Sequence, residues 1–214
     1  MSVKLIKITD KGEIMTAVAS KIKNTINRMK PGSVFPINSL AIDSACKNAA
    51  EKELSRLVEK GELQRFQRGV YYKPAKSTFF GNVLPNPTEV ANAIARLSNA
   101  KMIPYGPMAL HMLGLTTQVP MKQVYLNDKL HKTEMVGNTP IVFKRISSKK
   151  LLGAGKKAGL VLSALEYIGK EEAQDEKLQI EIAKKLNSKE KLELEKAAKA
   201  YPKWLREIVE RIVA

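Results

Sequence analysis

Glu62-Leu63-Gln64-Arg65-Phe66-Gln67-Arg68-Gly69-Val70-Tyr71-Tyr72-Lys73 is the stretch whose reading decides the fold. Residues 62–66 and 70–73 are strand-like, and Gln67-Arg68-Gly69 joins them. A three-residue link ending in glycine suits a hairpin whose last linking residue takes the left-handed conformation. Arg65 and Arg68 then give the hairpin a basic tip.

Upstream of the hairpin, residues from Ser44 or Lys47 to Lys60 predict a helix with Gly61 as its left-handed stop. Its apolar face is Ala50, Leu54, Leu57 and Val58, and its opposite side carries Lys47, Asn48, Glu51 and Lys52. Asn38 is placed to cap a brief helix carrying Leu40 and Ile42, and Val34-Phe35-Pro36 is short and extended. Further back, Ile14, Val18, Ile22, Ile26 and Met29 form one helical stripe over Glu13 to Met29, ended by Pro31-Gly32. Helix, short strand, helix, helix and basic-tipped hairpin, in that order, predict a winged helix-turn-helix over residues 1–76. In such a head a helix N-terminus enters the DNA major groove. Lys47 and Asn48 are placed to reach base edges, because lysine donates to guanine and asparagine pairs bidentately with adenine. Arg65 and Arg68 are placed for phosphates or the minor groove, where contacts position the protein without reading much sequence.

Charge points the same way. The chain has 214 residues and a net charge of +16. Residues 1–80 hold 15 Lys/Arg against 7 Asp/Glu, residues 81–160 hold 11 against 3, and residues 161–214 hold 11 of each. A basic body with a balanced end suits a polyanionic partner over the basic part. The single Cys46 excludes an internal disulfide and a multi-cysteine zinc site, and suits a reducing cytoplasm. Met1 to Asp10 lack the apolar run of a signal peptide, and no stretch is apolar enough for a bilayer-spanning segment.

Residues 77–88, with Gly81, Pro85 and Pro87, read as a linker. A second domain follows over 89–214, with Pro87 at the first position of a helix carrying Val90, Ala91, Ile94 and Leu97. Strands are expected at 101–104, 123–127, 133–136 and 139–146, and a buried apolar helix at 107–115. From about residue 157 the chain reads as a helical tail, with helices near 158–168, 175–186, 188–200 and from Pro202 to Val213. The fold class is therefore α+β, a winged helix-turn-helix followed by a mixed α+β domain with a helical C-terminal tail.

Catalytic chemistries find little support. Two-metal nucleotidyl transfer needs clustered carboxylates, whereas Asp10, Asp43, Asp128 and Asp175 are widely separated. A phosphate loop at Leu152-Gly153-Ala154-Gly155-Lys156-Lys157 fails, because Lys150 stands where the first glycine belongs and Lys157 where Ser or Thr belongs. Cys46 reads as a packing residue, His111 as a satisfied core histidine among Met108, Leu110, Met112 and Leu113, and His131 as a loop residue. Two isolated histidines with few nearby acids make no zinc site, and no cofactor is expected. The cluster Lys144, Arg145, Lys149, Lys150, Lys156 and Lys157 is a candidate for further contact with nucleic acid or an acidic partner, set against a solvated surface.

Two segments carry a family resemblance. Ala50-Glu51-Lys52-Glu53-Leu54-Ser55-Arg56-Leu57-Val58-Glu59-Lys60-Gly61-Glu62-Leu63, followed by Arg68-Gly69-Val70-Tyr71, resembles the winged-helix head of AbiEi-like antitoxins of type IV abortive-infection toxin–antitoxin systems. Tyr105-Gly106-Pro107-Met108-Ala109-Leu110-His111-Met112-Leu113-Gly114-Leu115-Thr116-Thr117-Gln118-Val119-Pro120 is similar to that family's second domain. The resemblance implies a cytoplasmic, non-enzymatic antitoxin that represses its own operon at inverted-repeat operator DNA and counters a nucleotidyltransferase-type toxin. It places DNA contact on Lys47, Asn48, Lys52, Arg65 and Arg68, and assigns no toxin-neutralising residues. The rival reading is a protein-interaction module in which the winged fold docks a partner. An enzyme that reverses the toxin's modification lacks a catalytic constellation.

Overall fold

The computed structural model describes residues 3–77 and 81–214. The chain folds into two compact units, residues 1–97 and 98–214, each with its own core.

The first unit opens with helix α1, Val3–Arg28, which starts well before the expected Glu13. Of the expected stripe, Ile14 lies outside the described side chains. Ile22 and Ile26 are buried, and Val18 and Met29 pack against the same core. Strand β1, Val34–Pro36, follows. In place of one brief helix capped by Asn38, the chain makes two 3-10 turns, Ile37–Leu40 and Ser44–Cys46. Between them Ala41 takes the left-handed conformation at φ 48°, and its carbonyl accepts from Lys21 Nζ at 2.7 Å. Asn38 instead donates to the Arg96 carbonyl at 3.0 Å. The cap belongs to Asp43, whose carboxylate accepts from the Ala45 amide. Asparagine and aspartate satisfy free N–H groups equally well at such a position, so composition alone does not choose between them.

Helix α2, Lys47–Glu59, buries Ala50, Leu54 and Leu57, while Val58 is only half-buried. It ends as expected at Gly61, where φ is +72°. The Gly61 amide bonds to the Val58 carbonyl and the Glu62 amide to the Leu57 carbonyl, which satisfies two of the helix's open carbonyls. Strands β2, Gln64–Gln67, and β3, Val70–Tyr72, make the predicted hairpin. Its register shifts between Arg65 and Gln67, so the turn itself is Arg68-Gly69. Strand β3 lies in the middle of the sheet, in the order β1-β3-β2.

Residues 77–88 are not a structureless link. Strand β4, Ala75–Ser77, pairs with β5, Gly81–Val83, while residues 78–80 lie outside the described residues. Helix α3, Pro87–Leu97, begins at Pro87 as expected. It belongs to the first unit and packs on β1, so the division falls after Leu97 and not before residue 89. Glu89 accepts from the Val34 amide, the Arg96 carbonyl accepts from Asn38, and Leu97 lies under the hairpin turn.

The second unit is α+β in its own right. Strands β6, Met102–Tyr105, β7, Gln123–Asn127, β8, Lys132–Val136, and β9, Thr139–Arg145, form a mixed sheet in the order β6-β7-β9-β8. Strands β7 and β9 are parallel and the other pairs antiparallel. Tyr125 and Phe143 stack in its core with ring centroids 6.1 Å apart. Asn127 is fully buried and fully bonded. It donates to the Leu130 and Lys144 carbonyls and accepts from the Lys129 and Leu130 amides, clamping the turn after β7. Helix α4 is Pro107–Leu113. It buries Met108, Ala109 and Leu113, but Met112 is 47% exposed, so the segment is not wholly internal. The helices α5, Lys157–Ile168, α6, Glu176–Lys184, α7, Ser188–Ala198, and α8, Lys203–Val213, share one core with α4. The helical tail is thus half of a domain core. The apolar faces that carry it include Val161, Leu165, Leu194, Leu205, Ile208 and Ile212.

Lys73, just past β3, joins two parts of the first unit. Its ammonium donates to the carbonyls of Ile26, Asn27 and Met29 at 3.0, 3.3 and 3.0 Å, at the C-terminal end of α1. The Ile26 carbonyl also accepts from the Met29 amide, while the other two lie where helical partners run out, at the negative end of the helix dipole, so a cation there meets an open demand. Lys73→Met keeps the stem and removes the charge. It is expected to cost about 1–2 kcal/mol, read as a lower denaturation midpoint of the first unit.

Candidate nucleic-acid interface

The exposed face of α2 and the β2–β3 hairpin enclose a groove of about 410 Å3. Lys47, Glu51 and Ser55 line it from α2, and Arg65, Arg68, Gly69 and Tyr71 from the hairpin. Lys47, Glu51 and Ser55 are spaced one helical turn apart, so they stand on one stripe facing the strands. Lys47, Arg65 and Arg68 are all exposed. The structure therefore brings together three of the five residues singled out for DNA contact. Asn48 and Lys52 are exposed on an adjacent groove of α2, with Glu51, Ser55, Arg56 and Glu59. Arg56 is held there by its own helix, donating twice to the buried Glu53 at 2.7 and 3.0 Å.

The hairpin arm is braced from behind. Arg65 pairs across the sheet with Tyr71, which is 5% exposed and stacks on Phe35 at 6.1 Å. Burial pushes the Tyr71 phenol above its ordinary range. Arg65 pulls against this through charge and a hydrogen bond, and the Glu51 carboxylate adds to the rise. Tyr71 thus stays protonated at neutral pH, a fixed neutral prop beside the Arg65 guanidinium. At the turn, Gly69 has φ +79°, and a Cβ built there lies 3.1 Å from Leu97 Cδ2. The Gly69 carbonyl accepts from the Ile37 amide at 2.9 Å. Glycine is required by conformation and by space, and the tip carrying Arg68 is seated on α3. Glu51, Ser55 and Tyr71 were not singled out from sequence. Their signal lay in the turn-by-turn spacing from Lys47 and in the cross-strand pairing of Arg65.

The second basic cluster divides. Lys150 pairs with Glu166 at 2.6 Å, Lys156 with Glu193 at 2.8 Å, and Lys157 with Glu190 at 3.2 Å while also donating to the Lys185 carbonyl. Lys150 thus ties the turn before α5 to α5 itself, and Lys156 and Lys157 tie the start of α5 to α7. Lys150 also lies 5.6 Å from the Tyr201 ring centre, and Tyr201 donates to the Lys150 carbonyl. Burial first, with Glu166 adding, pushes the Tyr201 phenol up to about 12. The Asn187 amide is the main cause that holds the Glu190 carboxyl below its ordinary range, with Lys157 contributing. Lys144, Arg145 and Lys149 are exposed and pair with no acidic side chain among the described residues.

The glycines of the rejected phosphate loop are explained by packing. A Cβ on Gly153 would lie 2.6 Å from the Gly159 amide nitrogen, and one on Gly159 would strike the Gly153 carbonyl. Among the described residues, no group of three His, Cys, Asp or Glu side chains stands where it could hold a metal. Asp43 and Asp175 cap helical turns, and Asp128 accepts from the Lys101 amide. His111 is half-buried and its Nδ1 has no hydrogen-bond partner among the described residues, so it is not a satisfied core histidine. His131 is on an exposed loop as expected, and Cys46 is half-buried. No helix of the described residues is long and apolar enough to cross a membrane.

The two units define an α+β protein with a basic groove between a helix and a hairpin in the first. The chain belongs to a family of unknown function, DUF6088, whose model matches residues 21–194. A comparison with curated proteins finds no match. Among solved structures, the crystal structure of the RV2827C protein from Mycobacterium tuberculosis is similar at 13% identity and a TM-score of 0.44, over 92% of this chain and 76% of that one.

Two sets of charge reversals separate bonded from free lysines. Lys150, Lys156 and Lys157→Glu should lower the unfolding midpoint, through three lost pairs and new like-charge contacts. Lys144, Arg145 and Lys149→Glu changes net charge by the same amount and should leave the unfolding midpoint within about 0.5 kcal/mol of wild type. Equal midpoints for the two sets would show that the ion pairs do not hold the helices.

Proposed function

We propose that this protein is a DNA-binding regulator whose first unit works as a winged helix-turn-helix. The observation that carries the reading is the groove that gathers Lys47, Arg65 and Arg68 between the start of α2 and the hairpin turn. The order α1, β1, turns, α2, β2, β3, with β3 between β1 and β2, supports it. In this reading α2 enters the major groove, Lys47 and Asn48 meet base edges, and Lys52, Arg65 and Arg68 meet phosphates. The two 3-10 turns stand in for the middle helix.

Beyond DNA binding, the resemblance to AbiEi-like antitoxins extends the proposal to an antitoxin that represses its own operon and counters a nucleotidyltransferase-type toxin. The second unit is then the partner domain. Support comes from the end of α4 and the segment that follows it to β7, where Met112, Val119 and Met121 are 47%, 76% and 91% exposed. Three apolar side chains displayed so openly suit a protein surface better than a phosphate backbone.

Binding to the DNA upstream of the chain's own gene, read by mobility shift against scrambled duplex, tests the first part. Wild type should prefer the upstream DNA, and the variant with Lys47, Asn48, Arg65 and Arg68 all changed to Ala should lose about tenfold or more in affinity. With about six phosphates neutralised, log affinity should fall with log salt at a slope near −5. A flat salt dependence with no preference would transfer the first unit to protein docking. For the second part, co-expression with a nucleotidyltransferase encoded beside it should relieve that enzyme's toxicity, and Val119→Asp with Met121→Asp should abolish the relief at unchanged stability.

A further inference from the structure

Phosphate contact does not account for every side chain in the groove between α2 and the hairpin. Among the described residues Glu51 is the one acidic side chain lining it, and it stands with Lys47, Arg65 and Arg68. A carboxylate in a surface that met only phosphates would weaken the contact by like-charge repulsion. Glu51 also lines the neighbouring groove with Asn48 and Lys52, which puts it at the middle of the exposed face of α2, one turn after Lys47. Among the described residues it forms no salt bridge with the cations around it and accepts no hydrogen bond. Glu53, two residues on, is the contrast. Its carboxylate is buried and held twice by Arg56, so the fold uses it, whereas that of Glu51 is left half-exposed and open.

We infer that Glu51 reads a base: its carboxylate accepts a hydrogen bond from the N4 amino group of a cytosine in the major groove. The inference rests on the DNA-binding reading above. Guanine offers N7 and O6 to the major groove and thymine O4, all acceptors that repel a carboxylate. Adenine offers its N6 amino group beside N7, whose lone pair opposes the second carboxylate oxygen. Cytosine offers an amino group with no acceptor on its own major-groove edge. Glu51 therefore favours one base and disfavours the other three, and it weakens binding to DNA that lacks the cytosine. Lys47, one turn earlier, suits the acceptors of a neighbouring guanine.

The test uses the full chain as wild type, Glu51→Ala and Glu51→Gln, each shown by circular dichroism to be folded. Each is equilibrated with duplexes of about three helical turns, randomised in sequence, and the bound DNA is sequenced. Wild type should enrich a motif containing one cytosine position that depends on Glu51. Glu51→Ala should lose about tenfold preference at that position alone, and should bind scrambled duplex more tightly than wild type. Glu51→Gln should move the preference there toward adenine, since an amide both donates to N7 and accepts from N6. Motifs identical in all three proteins would overturn the role of Glu51 while leaving DNA binding intact. So would loss of all binding by both folded variants, because a base reader affects one position. Enrichment of no sequence by wild type would overturn the DNA-binding reading and this inference together.

Discussion

One ammonium group holds the first unit in register. Lys73 sits where the hairpin ends, and its three bonds to the last carbonyls of α1 fix the exit of β3 to the end of the first helix. Its backbone is committed as well, its carbonyl accepting from Gly32 and its amide donating to Ser33. The sheet can then take the order β1-β3-β2, and Phe35 and Tyr71 stack across it. Tyr71 in turn braces Arg65. The geometry of the groove thus depends on a contact made by a residue that does not line it.

How much of this was legible in the sequence depends on the range of the force involved. Local rules gave α2 and its stop at Gly61, the hairpin with its glycine, and the start of α3 at Pro87, because each follows from backbone conformations open to one or two residue types. The boundary of the first unit was not legible. Pro85, Pro87 and Gly81 look like a linker, and only the packing of α3 on β1, with Glu89 bonded to Val34 55 residues earlier, reassigns that helix. The cap at Asp43 was hidden for a related reason: several polar residues stood near the turn, and tertiary contacts claimed Asn38.

The candidate site divides similarly. Lys47, Arg65 and Arg68 could be singled out because a helix start and a hairpin tip can be located from sequence, and the structure brings them to one groove. Charge counting misled in the second unit. Lys150, Lys156 and Lys157 look like Lys144, Arg145 and Lys149 in the sequence, yet their partners Glu166, Glu193 and Glu190 lie on helices whose placement no local pattern fixes. The balanced charge of residues 161–214 was the trace of that pairing. An acid-rich stretch following a lysine-rich one is as much a sign of internal ion pairs as of a neutral tail.

The seat of the hairpin turn on Leu97 has a bearing on modularity. Gly69 rests against the last residue of α3, and the adjoining strand is bonded to that helix through Glu89. A head excised at the apparent sequence boundary would keep every basic residue of the groove and lose the floor beneath its tip. The smallest autonomous piece of this chain that preserves the groove therefore extends through α3, and exchange of such heads between relatives has to carry that helix along.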